Sequence, residues 1–206
     1  MKARAGRVGR EGLGPLMARW QAKVPELRVH LIGHSFGARV VSYSLAGLAP
    51  PGSLPSTPVG SLMMLQGAFS HFAFAKRLPH RDGKGALTGM QARVDGPIVV
   101  THTLRDSALS RLYAGASLAA RDDAAAAADR MFRWGAMGHD GAQSVGAKAA
   151  KAGKVGTAYA LSAGAFLNLD CNAVIRTGDG PAGAHADLYH PELAWVAARA
   201  AKLVDA

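Results

Sequence analysis

The stretch Val29-His30-Leu31-Ile32-Gly33-His34-Ser35-Phe36-Gly37-Ala38-Arg39-Val40-Val41 decides the fold. An apolar, β-prone run enters Gly-His-Ser-Phe-Gly, and a run of small, helix-compatible residues leaves it. Gly-x-Ser-x-Gly between a strand and a helix is the signature of a nucleophile elbow. Such an elbow holds its serine at positive φ, so that the hydroxyl projects from the top of a sheet. Gly33 and Gly37 are expected to give the backbone room to turn. The backbone N–H of Phe36 would face a developing oxyanion, helped by the dipole of the following helix.

Working outward, 206 residues suit one domain with a sizeable core. Hydrophobic residues make up 49%, and no apolar stretch approaches the length of a membrane span. Cys171 is the single cysteine, so no internal disulfide forms; it is expected as a small apolar residue in a strand. The basic N-terminus, Met1 to Arg10, lacks the apolar segment of a secretory signal, and a cytoplasmic location is the expectation. The formal charge is +10, with 24 Lys and Arg against 14 Asp and Glu. The basic residues are scattered outside Lys2–Arg10 and Lys148, Lys151 and Lys154, with no interleaved aromatics, so nucleic-acid binding is not expected.

Residues 1–12 read as a basic N-terminal arm or a remnant of upstream sequence, and 13–206 as a single domain. Leu13 to Lys23 carries an apolar helical face, and Leu27 to Ile32 is the strand into the elbow. Ala38 to Leu48 is a helix with Val40, Val41, Leu45 and Leu48 facing inward. Ala49 to Gly60 holds four prolines and is a loop. Val59 to Gln66 and Pro97 to Thr103 are buried strands, and Lys76 to Asp95 is a surface excursion. Ala108 to Ala120 and Asp122 to Phe132 read as helices. Residues 133–156 form an exposed insertion, Phe166 to Ile175 is the last strand, and Glu192 to Val204 is the closing helix. Strand and helix alternate, which predicts an α/β fold with a mainly parallel sheet of about four strands and helices on both faces.

A serine hydroxyl needs a base within hydrogen-bond reach, and the base needs a carboxylate to hold its tautomer. Functional groups collect at the carboxyl ends of parallel strands. Ser35 follows the elbow strand, Asp106 the third strand and His185 the fourth. Asp187 is expected to fix its loop, and His190 is a weaker candidate base because it directly precedes the closing helix. His34 packs beside the serine and His71 follows the second strand, so both are assigned to substrate binding, with a satisfied turn histidine as the alternative for His71. His102 is expected to be structural. No metal-ligand spacing, P-loop or dinucleotide fingerprint is present, so neither metal nor organic cofactor is expected.

The order Ser, Asp, His, together with Gly33-His34-Ser35-Phe36-Gly37, Thr103-Leu104-Arg105-Asp106 and Gly183-Ala184-His185-Ala186-Asp187-Leu188, resembles the C-terminal half of an α/β-hydrolase fold serine hydrolase. The resemblance implies esterase-like chemistry on a small-molecule carboxylic ester: Ser35 as nucleophile, His185 as base, Asp106 as its orienting acid and Phe36 N–H as an oxyanion donor. The chain departs from the family in one respect. The elbow lies within the first 35 residues, and no counterpart appears of the preceding strands or of the loop that supplies a second oxyanion N–H. Two expectations follow: a piece of a longer hydrolase, or a short form that self-associates across a raw sheet edge. A non-catalytic hydrolase-like binding module and a polyanion-binding surface are the competing readings.

Overall fold

Val59 to Leu65 is apolar at nearly every position, the composition of a strand covered on both faces, and in the computed structural model it lies inside a parallel sheet. The structure describes residues 1–48, 58–113, 133, 135–178 and 180–205. Its strands are β1 (Val29–His34), β2 (Val59–Leu65), β3 (Ile98–His102), β4 (Lys148–Lys151) and β5 (Phe166–Asp170). They form one five-stranded sheet in the order β1-β2-β3-β5-β4, and every pairing is parallel. The chain is therefore α/β, with the carboxyl ends of all the strands along one rim.

Among the described residues the α-helices are α1 (Lys2–Arg7), α2 (Gly14–Lys23), α3 (Phe36–Ser44), α4 (Met137–Asp140) and α5 (Pro191–Ala200), with π-helical segments at Val8–Leu13, which joins α1 to α2, and at Ala108–Tyr113. Met17, Ala38, Tyr43 and Leu45 meet Leu31, Leu62, Met64, Ile98 and Val100 on one face. Leu193, Val196 and Ala200 of α5 meet Met63, Val99, Leu167 and Leu169 on the other. Alternate residues of each strand thus feed opposite layers, as the period of two requires. None of the helices among the described residues is long and apolar enough to cross a membrane.

Three expectations are corrected. Residues 2–13 are not a solvated arm: they are helical, and buried Gly6 and Gly9 bring them against α3. Side chains are not what makes that contact close. A Cβ on Gly9 would collide with the Val40 carbonyl, so the contact depends on having none. The insertion expected at 133–156 is exposed only in part: residues 144–156 are exposed or half-buried, but 135–143 are mostly buried. Ala136 and Met137 are buried, and β4 adds a fifth strand beside β5. Of the inward face expected for the helix after the elbow, Leu45 and Leu48 are buried, but Val40 and Val41 are only half-buried. The helix expected at 108–120 is described only over Ala108–Tyr113, which is π-helical; the rest of it, the helix expected at 122–132 and most of the proline-rich loop lie outside the described residues.

Candidate active site

The turn after β1 is the local feature that builds the site. Ser35 has φ 55° and ψ −121°, a strained conformation for a residue with a Cβ, and α3 starts at the next residue. Backbone bonds hold the turn in place. Ser35 N–H donates to the Leu65 carbonyl at 3.0 Å, and Ala68 N–H donates to the Ser35 carbonyl at 3.1 Å. The elbow is therefore tied to the exit of β2. A Cβ on Gly33 would sit 2.5 Å from the Gly37 carbonyl oxygen, so strand and helix cross here with no space to spare. Gly37 differs from the expectation: a Cβ there would meet nothing within 4 Å, so only the first glycine of the motif is sterically required.

Asp106 and His185 arrive from two other loops. Asp106 follows β3, is fully buried, and accepts from Leu109 N–H at 3.0 Å through Oδ1. His185 lies in a 3₁₀ turn, Ala184–Ala186, after β5. The two loops are stitched together: Ala184 N–H donates to the Arg105 carbonyl, and Ala108 N–H to the Ala182 carbonyl. Gly183 permits this close approach. Its φ is +58°, and a Cβ there would lie 2.6 Å from the Arg105 carbonyl oxygen.

These loops bring the three side chains together. His185 Nδ1 lies 2.7 Å from Asp106 Oδ2, and His185 Nε2 lies 2.9 Å from Ser35 Oγ. A carboxylate can only accept, so Nδ1 carries the ring proton and Nε2 accepts from the serine hydroxyl. That is the tautomer a general base needs. Phe36 occupies the first position of α3, where a backbone N–H has no intrahelical acceptor and faces outward with the helix dipole behind it. The arrangement can take a proton from Ser35 and offer one N–H to an oxyanion.

The other histidines sort by their partners. His34 Nε2–H donates to the His185 carbonyl at 2.9 Å, and the two rings lie 4.7 Å apart. Burial, and then the neighbouring His185, hold His34 below the ordinary histidine range, so it stays neutral beside the base. It braces His185. His71, assigned to substrate binding, is fully buried, with Nδ1 2.8 Å from both carboxylate oxygens of Asp140. Burial and the Asp140 pairing of Nδ1 match the alternative weighed for it, a turn histidine, better than a residue lining an open site. His102 ends β3 and is depressed chiefly by burial. His190 pairs with Asp187 at 2.8 Å, away from Ser35. Cys171 directly follows β5, where burial pushes its thiol up to about 12 and leaves it inert.

Asp187 fixes its loop. Burial alone would raise its carboxyl, but the N–H groups of Thr177 and Arg176 and the His190 ring outweigh that and bring it down to about 2. A second polar group beside the acid loop went unread in the sequence. Asn172 Oδ1 accepts from Leu104 N–H at 2.9 Å and from Thr103 Oγ1 at 3.1 Å. Its Nδ2 donates to Asp170 Oδ1 at 2.6 Å. The last strand, expected to run to Ile175, ends at Asp170, so Asn172 is itself a strand-end residue. Locating the strand end correctly would have put it among the candidates. No family model, curated protein or solved structure matches this chain.

Proposed function

We propose that the chain is a serine hydrolase of the α/β-hydrolase type that acts on a carboxylic ester through an acyl-enzyme. One observation carries the reading: Ser35, at positive φ, hydrogen-bonds a histidine whose other nitrogen is held by a buried carboxylate. In this reading Ser35 Oγ attacks the acyl carbon while His185 Nε2 takes its proton. The negative charge on the tetrahedral oxygen is met by Phe36 N–H. Collapse expels the alcohol, which receives the proton from His185. Water then attacks the acyl-enzyme with His185 again as base, releasing the carboxylic acid and regenerating Ser35. Asp106 orients His185 and stabilises the imidazolium that forms.

The reading requires that Ser35 react with a fluorophosphonate and that p-nitrophenyl esters be turned over. His185→Ala should lower ester turnover by roughly 10⁴-fold or more. Ser35→Ala should abolish labelling outright. A folded protein whose Ser35 does not label overturns the proposal and favours the second reading, a hydrolase-like binding module. That second reading draws on one feature: Phe36 is the single oxyanion donor the elbow supplies. Lacking one such donor costs about 10²–10³ in rate where it has been measured.

A further inference from the structure

We propose that Asn172 is a positioning residue, the clamp that sets where Asp106 meets His185; the inference rests on the hydrolase reading of the site. The case begins with chain geometry. Asp106 enters the site on a short loop, Thr103 to Arg105, that leaves β3 while β5 ends beside it in parallel register, His102 opposite Asp170. Two strand exits side by side leave backbone donors that the sheet no longer satisfies. Thr103 N–H donates to the Gly138 carbonyl and Arg105 N–H to Thr103 Oγ1, while Asn172 takes the one between them, Leu104 N–H. Besides the bonds of its side chain to Leu104 N–H and Thr103 Oγ1, its backbone carbonyl accepts from Arg105 Nε at 3.2 Å. Leu104 and Arg105 are therefore bonded to Asn172, and the Thr103 hydroxyl shares its one proton between Asn172 Oδ1 and the Ile175 carbonyl, each 3.1 Å away.

The chemistry of the position admits few side chains. One end of the group must accept from the Leu104 N–H, and the other must donate to the Asp170 carboxylate. A primary amide does both, in one orientation only. Aspartate would keep the acceptor and oppose two carboxylates; leucine would keep neither function. Asp170 is anchored in turn, since Asn172 N–H also donates to it at 2.9 Å. That bond above all holds its carboxyl below the ordinary range. A rigid strand end thus holds the amide, and the amide holds the acid loop. The same loop carries the Arg105 carbonyl that receives Ala184 N–H, so displacing it also moves the neighbour of His185.

A proton NMR resonance far downfield, from His185 Nδ1–H in its 2.7 Å bond to Asp106, provides a readout that needs no turnover. The fluorophosphonate labelling rate of Ser35 provides the second. In Asn172→Ala the resonance should move upfield or vanish, and labelling should slow about 10- to 100-fold, the scale on which misplacing a reacting group slows a reaction. The loss should fall on kcat for a p-nitrophenyl ester, with KM little changed. Asn172→Asp should act in the same direction. In an Asp106→Asn background Asn172→Ala should add no further loss, because its effect passes through Asp106. An unchanged resonance with unchanged labelling in both variants overturns the proposal, as does an additive loss in the double variant. Failure of both variants to fold overturns it too, in favour of a purely structural asparagine. Wild-type protein that shows the resonance but does not label would sink the hydrolase reading and leave the clamp standing.

Discussion

Ser35 pays for its exposure with strain. A non-glycine residue at φ 55° costs on the order of 1–3 kcal/mol and persists only where its surroundings over-determine it. Here the two backbone bonds to Leu65 and Ala68 and the crossing at Gly33 do so. The two motif glycines should therefore respond oppositely to alanine. Gly33→Ala forces β1 and α3 apart and should destabilise by about 1–3 kcal/mol, the range for overpacking a filled site. Labelling of Ser35 should slow as the turn shifts. Gly37 lies in the first turn of α3 with open space around it, so Gly37→Ala should be neutral or stabilise by up to about 1 kcal/mol. Urea unfolding of the two variants checks this, and equal losses would mean that the crossing does not hold the turn. Ser35 and Asp106 were legible in the sequence because each closely follows an apolar run. His185 was legible from the order Ser, Asp, His and its Gly-x-His-x-Asp setting, although β5 ends at Asp170, short of the Ile175 expected. The His71–Asp140 pair was not legible, since it joins residues 69 apart in sequence that no spacing rule connects.

At the scale of elements, legibility tracked hydrophobicity. β2, β3 and β5 are continuous apolar runs and were placed within a few residues of their observed starts. β4, Lys148-Ala149-Ala150-Lys151, has no apolar face to detect; it is an edge strand, and lysines at an edge discourage pairing with another chain. α1 was missed for a related reason: it packs through glycine, and its arginines face solvent. The loop between β5 and α5 makes a separate prediction through Asp187. Its carboxyl titrates near 2 in the folded chain, against about 3.9 for an unperturbed aspartate. The folded state therefore prefers the ionised form. The resulting stabilisation is complete above the unfolded value and is lost as pH falls through the folded one. Asp187→Asn should be less stable than the parent at pH 6. The gap should narrow from about pH 4 downward and close near pH 2. Urea midpoints of the two proteins across that window measure it, and a constant gap would mean that packing, not charge, holds the loop.

For the whole molecule, the described side chains on the two faces of the sheet belong to separate clusters. The edge at β1 leaves Ile32 about half exposed beside an apolar groove of about 430 Å³ whose lining includes Leu65, Leu188, Tyr189 and Leu193. Ile98 is fully buried on the α3 side of the sheet and Ile175 on the α5 side, and they belong to separate clusters of side chains. Ile98→Val and Ile175→Val should each cost about 0.5–1.5 kcal/mol, the range for removing one buried methyl group. Sites without shared partners add to within about 0.3–0.5 kcal/mol. The double variant should therefore show the sum, with an unchanged dependence on urea concentration. A larger departure would mean that the strands pass packing strain from one face to the other. The helices above and below would then act as one core, and a substitution beneath α5 would be felt at the elbow that opens α3.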